Sequence, residues 1–255
     1  MISSQEKQAL SDLFTIISTF DLPIVLVGGG ARILIFDQKF GEGRGTKDWD
    51  VAISVDSWEI YQQLQAALIE GNTPLFQATK TSHKFIHIET QIEIDIIPFG
   101  KIAKPEEKIT WPDSEKSMNV LGLAEALSSA ETINIGNFEI RAINIAAFIV
   151  LKLFAWSDRR DKKDLDDIDF ILSKYEDYER VFAELSDELA KEDIALTNAS
   201  IYLLGRDIYK TFQVKTLNHL NVILDELIER LADHSEKLDD KLNILKKGIL
   251  SSDFV

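Results

Sequence analysis

The sequence predicts an α/β (α+β) chain in two parts: a small mixed sheet with flanking helices over residues 1–142, then a helical domain over 143–255. Three observations predict it. The short apolar run Leu22-Pro23-Ile24-Val25-Leu26-Val27 ends in Gly28-Gly29-Gly30 and passes into a helix-like stretch. Short runs rich in Ile, Val and Phe, bounded by turn residues, recur up to about residue 140. From about Asn144 onward only the apolar spacing of helices remains.

Each element has its own signal. Leu10, Leu13, Phe14 and Ile17 set a helix within 5–20. Residues 22–27 form a buried strand, Gly28 to Gly30 turn the chain, and Ala31 to Asp37 begin a helix. Phe40 to Lys47 is a glycine-rich loop. Asp48 to Val55 is the second strand, with Trp49 pointing away from the two flanking acids into the core. Ser57 to Ile69 is a helix with Asp56 or Ser57 as its N-cap. Lys84–Ile88 and Gln91–Ile97 are strands joined by a tight turn, and Gly136-Asn137 is a hairpin signal between Ile133–Ile135 and Phe138–Ile140. Helices are expected at 144–157, 164–173, 177–191, 195–212 and about 216–248.

Composition sets limits. With 255 residues there is room for two modest domains or one large one. There is no cysteine, which removes disulfides and thiolate metal sites. The longest apolar stretch, Ile143 to Trp156, is interrupted by Asn144 and Lys152 and is too short to span a bilayer. The first residues carry no basic segment followed by an apolar core, so a cytoplasmic protein without a membrane partner is expected. The net charge of -15 argues against promiscuous nucleic-acid binding. It leaves room for one specific acceptor end, because Lys101, Lys104 and Lys108, and Arg159, Arg160, Lys162 and Lys163, are local basic groups.

The chemistry lies in three acids. Residues two apart on a strand share a face, so Asp48 and Asp50 aim at one point. Two carboxylates driven together need a positive neutraliser, and a hard divalent cation prefers carboxylate oxygens. Asp95 lies in Ile92-Glu93-Ile94-Asp95-Ile96-Ile97, a run that belongs inside a sheet, where an unpartnered carboxylate is costly. It suits a ligand to a second ion and a general base on an incoming hydroxyl. The glycines let backbone approach an anion at a helix start, although glycines alone also suit a plain tight turn. No Gly-Lys-Ser/Thr follows, so this is no P-loop. Together the features read as a Mg-nucleotide site. Lys152 sits on an otherwise apolar helix and shares a face with Arg159, and the two charges suit a triphosphate. Asp164 suits a helix cap, a ribose contact or a partner that orients Lys152. His83 and His87 fall in a strand, which argues against a helical zinc pair, and 158–169 lacks the glycine of an EF-hand loop.

The order strand, Gly-Gly, helix, then Arg44-Gly45-Thr46-Lys47-Asp48-Trp49-Asp50-Val51, then Ile94-Asp95-Ile96 resembles the polymerase-beta-type nucleotidyltransferase superfamily. More closely, the chain resembles the AbiEii/AbiGii toxin family, with Gly-Gly, Arg-x-Thr-x-Asp-x-Asp and a distal motif. That motif is met by Lys152, Arg159, Lys163, Asp164 and Asp167. The resemblance spans residues 28 to 168, and the last 85 or so residues match only as generic helices. It implies catalytic and Mg²⁺-binding roles for Asp48, Asp50 and Asp95. It implies nucleotide contacts at Gly28, Gly29, Arg44, Thr46, Lys152, Arg159, Lys163 and Asp164. It also implies transfer of a nucleoside monophosphate from an NTP such as ATP or GTP to the 3′ end of a tRNA or a protein side chain, and a cognate antitoxin as partner. Two rivals stand beside it. The acidic charge suits a cationic substrate, as for an antibiotic-modifying nucleotidyltransferase. A non-catalytic nucleotide-binding module is the other, and the presence of all three acids speaks against it.

Overall fold

The computed structural model describes residues 2–136, 138–232 and 237–251. The chain divides into two units, Met1–Gln38 with Arg44–Asn144, and Lys39–Gly43 with Ile145–Val255.

In the first unit, α1 (Ser4–Ser18) opens with a capping box: Ser3 accepts from the Glu6 amide while the Glu6 carboxylate accepts from the Ser3 amide. Next come β1 (Ile24–Val27), α2 (Gly28–Arg32) and a π-helical turn over Ile33–Asp37; α3 (Gln38–Phe40) then leads into residues 39–43, which group with the second unit. The wide turn matches the five-residue span between Arg32 and Asp37, whose side chains pair at 2.6 Å in the interior. After the loop come β2 (Asp48–Ser54), α4 (Trp58–Ile69), β3 (Phe76–Ala78), β4 (Lys84–His87) and β5 (Glu93–Phe99). A 3₁₀ turn (Lys101–Ala103) leads to β6 (Lys108–Thr110), β7 (Ser117–Asn119), α5 (Leu123–Ser128), β8 (Glu131–Ile135) and β9 (Phe138–Ala142).

Seven of these strands form one mixed sheet in the order β3-β4-β5-β2-β1-β9-β8. β2 runs parallel to β5 and antiparallel to β1, so the acid-bearing strands are neighbours in the sheet interior. Asp95 therefore does lie on an interior strand. Trp49 turns to the opposite face, is buried, and donates its indole N–H to Glu6 Oε1 at 3.3 Å. On the α4 side, the buried Tyr61 hydroxyl donates to the Ile96 carbonyl at 2.8 Å and fixes β5.

The second unit is helical: α6 (Ile145–Arg159), α7 (Lys162–Lys174), α8 (Tyr178–Glu184), α9 (Ser186–Ala190), α10 (Leu196–Thr211), α11 (Val214–Leu231) and α12 (Leu238–Leu250). α6 is buried around most of its girth through residues such as Phe148, Ile149, Leu153 and Trp156. α10 and α12 meet backbone to backbone. A Cβ at Gly205 would fall 2.2 Å from the Leu245 carbonyl oxygen, and one at Gly248 2.1 Å from that of Tyr202.

Several expectations need correction. The helix expected at 177–191 breaks at Leu185, whose φ of -125° leaves helical geometry, giving α8 and α9. The single helix expected at about 216–248 is two, α11 and α12, and residues 233–236 lie outside the described residues. So does Asn137 of the hairpin signal, although β8 and β9 pair antiparallel as expected. The helix after the glycines starts at Gly28 itself. β3, β6, β7 and α5 had no clear signal, because three-residue strands and a six-residue helix are too short to establish a period.

Candidate active site

The site is built where β2 crosses the glycine turn. Each glycine packs closely against a residue of the Thr46–Asp50 run. A Cβ at Gly28, which has a φ of +63°, would lie 2.0 Å from Asp50 Oδ2. One at Gly29 would lie 3.0 Å from Thr46 Oγ1, and one at Gly30 2.4 Å from the Trp49 ring. The two motifs are thus one packed object, with backbone against carboxylate. Thr46 Oγ1 donates to the Asp48 carbonyl at 2.9 Å and approaches Asp48 Oδ1 at 3.1 Å, which steadies the first acid. The buried Arg32 guanidinium donates to the Arg44 carbonyl and anchors the loop that leads in.

Register brings the acids together. Asp50 pairs with Asp95 across β2 and β5, and Asp48 with Glu93 one step back. Paired residues point to the same face, so four carboxylates share one face of the sheet. Lys84, opposite Asp95 on β4, adds an ammonium. Its Nζ lies 2.9 Å from Asp95 Oδ1, 3.0 Å from Glu93 Oε2 and 3.4 Å from Asp48 Oδ2. The Asp48 side chain is 37% exposed and that of Asp95 15%, so the cluster opens to solvent at one end and is closed at the other.

The charges respond to this. Burial raises the Asp95 pKa, and the Lys84 ammonium opposes the rise without cancelling it. Burial would lower the Lys84 pKa, but contacts with Asp95 and Glu93 and the charge of Asp48 outweigh it and hold the ammonium protonated. Burial lowers the pKa of His83, whose ring rests on Trp111 at a centroid distance of 4.7 Å. His87 is tied to Asp12 at 3.0 Å and Thr90 at 2.8 Å, so the two histidines serve separate surroundings and do not converge.

Among the described residues, no three His, Cys, Asp or Glu side chains stand gathered as they would around a metal ion. The donor chemistry nevertheless fits a hard divalent cation. All the donors are carboxylate oxygens, and a cation, the Lys84 ammonium, already stands among three of them.

The distal residues gather within the second unit. Lys152 Nζ reaches Asp164 Oδ1 at 3.1 Å and Asp167 Oδ2 at 2.8 Å. Arg159 donates twice to Asp164, from Nε at 2.7 Å and Nη2 at 2.5 Å. Asp164 is fully buried, whereas the Arg159 side chain is 48% exposed. The helix cap falls to Asp161, which accepts from the Lys163 amide, so Asp164 is left to hold Lys152 and Arg159. Lys163 turns to Asp161 at 3.2 Å. The sequence pattern singled out the acids and the distal residues as candidates. It did not single out Lys84 and Glu93, which reach the acids through the β4–β5 and β5–β2 pairings that no single run of residues carries.

A family profile, the nucleotidyl transferase AbiEii toxin of type IV toxin–antitoxin systems, matches residues 11–243. The chain belongs to the AbiEii nucleotidyltransferase family. No curated protein matches it by sequence. Among solved structures it is similar to an antigenic nucleotidyltransferase-like protein from Paracoccidioides brasiliensis, with 16% identity, 77% of this chain and 92% of that one covered, and a TM-score of 0.42. It is also similar to ANT(2")-Ia in complex with adenylyl-2"-tobramycin, at 12% identity, 74% and 94% coverage and a TM-score of 0.39. JHP933 from Helicobacter pylori is a third, at 17% identity, 99% and 92% coverage and a TM-score of 0.35. No helix among the described residues of this AbiEii-family chain is long and apolar enough to cross a membrane.

Proposed function

We propose that this AbiEii-family chain transfers a nucleoside monophosphate from a Mg-NTP to a hydroxyl acceptor. The observation that carries the reading is the Asp50–Asp95 pair, in register on neighbouring strands with Gly28 backbone against Asp50. Asp48, Asp50 and Asp95 would hold Mg²⁺, which when bound neutralises triphosphate charge and the charge that develops during transfer. Gly28 and Gly29 admit phosphate oxygens close to backbone, with Arg44 and Thr46 beside them. Asp95, on the strand beside Asp50, takes the proton of the acceptor hydroxyl. The acceptor oxygen bonds to the α-phosphorus, the bond from that phosphorus to the bridging oxygen breaks, and pyrophosphate leaves.

In the second unit buried Lys152 holds Asp164, Asp164 in turn aims Arg159, and Arg159 and Lys163 offer charges suited to phosphate. The acceptor is a tRNA 3′ end or a protein side chain. The protein acts in the cytoplasm as the toxin of a toxin–antitoxin pair, restrained by a cognate antitoxin. The family description supports this role. The net charge of -15 favours a second reading, a cationic small-molecule acceptor.

The test is incubation with each α-labelled NTP and Mg²⁺, together with total tRNA, total protein or aminoglycosides. Label on tRNA or protein is expected. Label only on an aminoglycoside moves the protein to the second reading, and no transfer with any pairing overturns the enzymatic one.

A further inference from the structure

Lys84 has no part in the reaction as described, yet it stands in the middle of the acids. The sheet dictates this. Lys84, Asp95 and Asp50 are consecutive members of one cross-strand row, and Glu93 and Asp48 belong to the next row on the same face. An ammonium at the end of the first row falls within 3.4 Å of one oxygen from each of Asp48, Glu93 and Asp95. The Lys84 side chain is 24% exposed, so the contacts are partly shielded from water.

A divalent cation and this ammonium need the same oxygens of Asp48 and Asp95. They cannot both keep them, because like charges at that separation repel. Glu93 differs from the other acids. It contacts Lys84, its side chain is 45% exposed, and its pairing partner is Asp48 at the solvent-facing end of the cluster. We propose that Lys84 is the resident counter-ion of the acid cluster, that it competes with the divalent cation for Asp48 and Asp95, and that Glu93 retains the ammonium when the cation enters. Lys84 is then a positioning residue. It keeps the acids folded together without metal and weakens metal binding until nucleotide phosphates add their own ligands. The inference rests on the reading of these acids as metal ligands.

The test is titration of the full chain with Mn²⁺ without nucleotide, with free ion followed by electron paramagnetic resonance. Removing a charge within a few ångströms should change cation affinity on the order of tenfold or more. Lys84→Met should therefore bind Mn²⁺ at least about tenfold more tightly than wild type. Its metal-free form should melt lower, and saturating Mn²⁺ should restore the loss. Lys47→Met, which removes an exposed lysine beside Asp48, should leave the affinity near wild type. Glu93→Gln should weaken Mn²⁺ binding in wild type and change it little in the Lys84→Met background, because Glu93 acts through the ammonium.

Unchanged or weaker binding by Lys84→Met, or equal tightening by Lys47→Met, overturns the proposal. An equal Glu93→Gln effect in both backgrounds overturns the part given to Glu93. Mn²⁺ binding that is absent from both wild type and Lys84→Met, or that survives Asp50→Asn unchanged, instead overturns the metal reading and this proposal with it. If Lys84→Met does not fold, Lys84→Gln carries the same expectations.

Discussion

Two charge clusters stand in this chain, and they are built differently. On the sheet, Lys84 is shared among Asp48, Glu93 and Asp95, and the cluster is open at the Asp48 end. In the helical unit, Lys152 and Arg159 meet Asp164 and Asp167, two charges of each sign, with both acids shut away from solvent. A cluster rich in carboxylate and open to water has donor chemistry that suits a hard cation. A balanced, buried cluster has spent its charge on itself and holds helices α6 and α7 in place, leaving only the outer edge of Arg159 for a ligand. The difference teaches where substitutions should hurt chemistry and where they should hurt folding.

After loss of Asp48 or Asp50, the largest effect expected is at Asp95. Asp95→Asn should lower turnover on the order of 10²- to 10⁴-fold, the range of a general base, with NTP affinity largely kept. Loss of folded protein would make Asp95 a structural residue and erase the contrast. Asp164→Asn should act in the opposite manner. Removing one partner of a buried ion pair costs about 3–5 kcal/mol, so its melting temperature should fall steeply. Arg159→Ala should weaken NTP binding with a much smaller change in melting. Unchanged NTP affinity in Arg159→Ala would assign the whole distal cluster to structure.

Next in size are the glycines. Gly30→Ala drives a methyl into the Trp49 ring, and Gly205→Ala drives one into α12. Overpacking of this kind costs about 1–3 kcal/mol. Denaturant melts of the two variants should show it, with Gly30→Ala also losing transfer because β2 carries the acids. The smallest effect concerns Glu184, whose pKa is held below its ordinary value chiefly by the hydrogen bond from Arg180. A depressed carboxyl adds stability above its unfolded pKa and loses it as the pH falls through the lower folded value. Melting temperature below about pH 4.5 should therefore fall less steeply in Arg180→Gln than in wild type.

Much of this was legible in the sequence for definite reasons. Asp48 and Asp50 declared themselves because alternation along one strand fixes their common face. Lys152 declared itself as a charge on an apolar helix, and Trp49 as the residue turned inward between two acids. Lys84 and Glu93 were silent, because only the pairing of β4 with β5 and of β5 with β2 brings them to the acids. The reason for three successive glycines was equally hidden. Each answers a different residue of the next motif, at a distance set by tertiary packing. The break at Leu185 left no Pro or Gly signal, and helical spacing ran through it.

The central claim is that the open cluster performs nucleotidyl transfer. The most direct measurement is label transfer from an α-labelled NTP by wild type, Asp48→Asn and Asp50→Asn, each checked for folding by circular dichroism. Transfer by wild type and none by either folded variant is the predicted result. Transfer at the wild-type rate by both folded variants would contradict it.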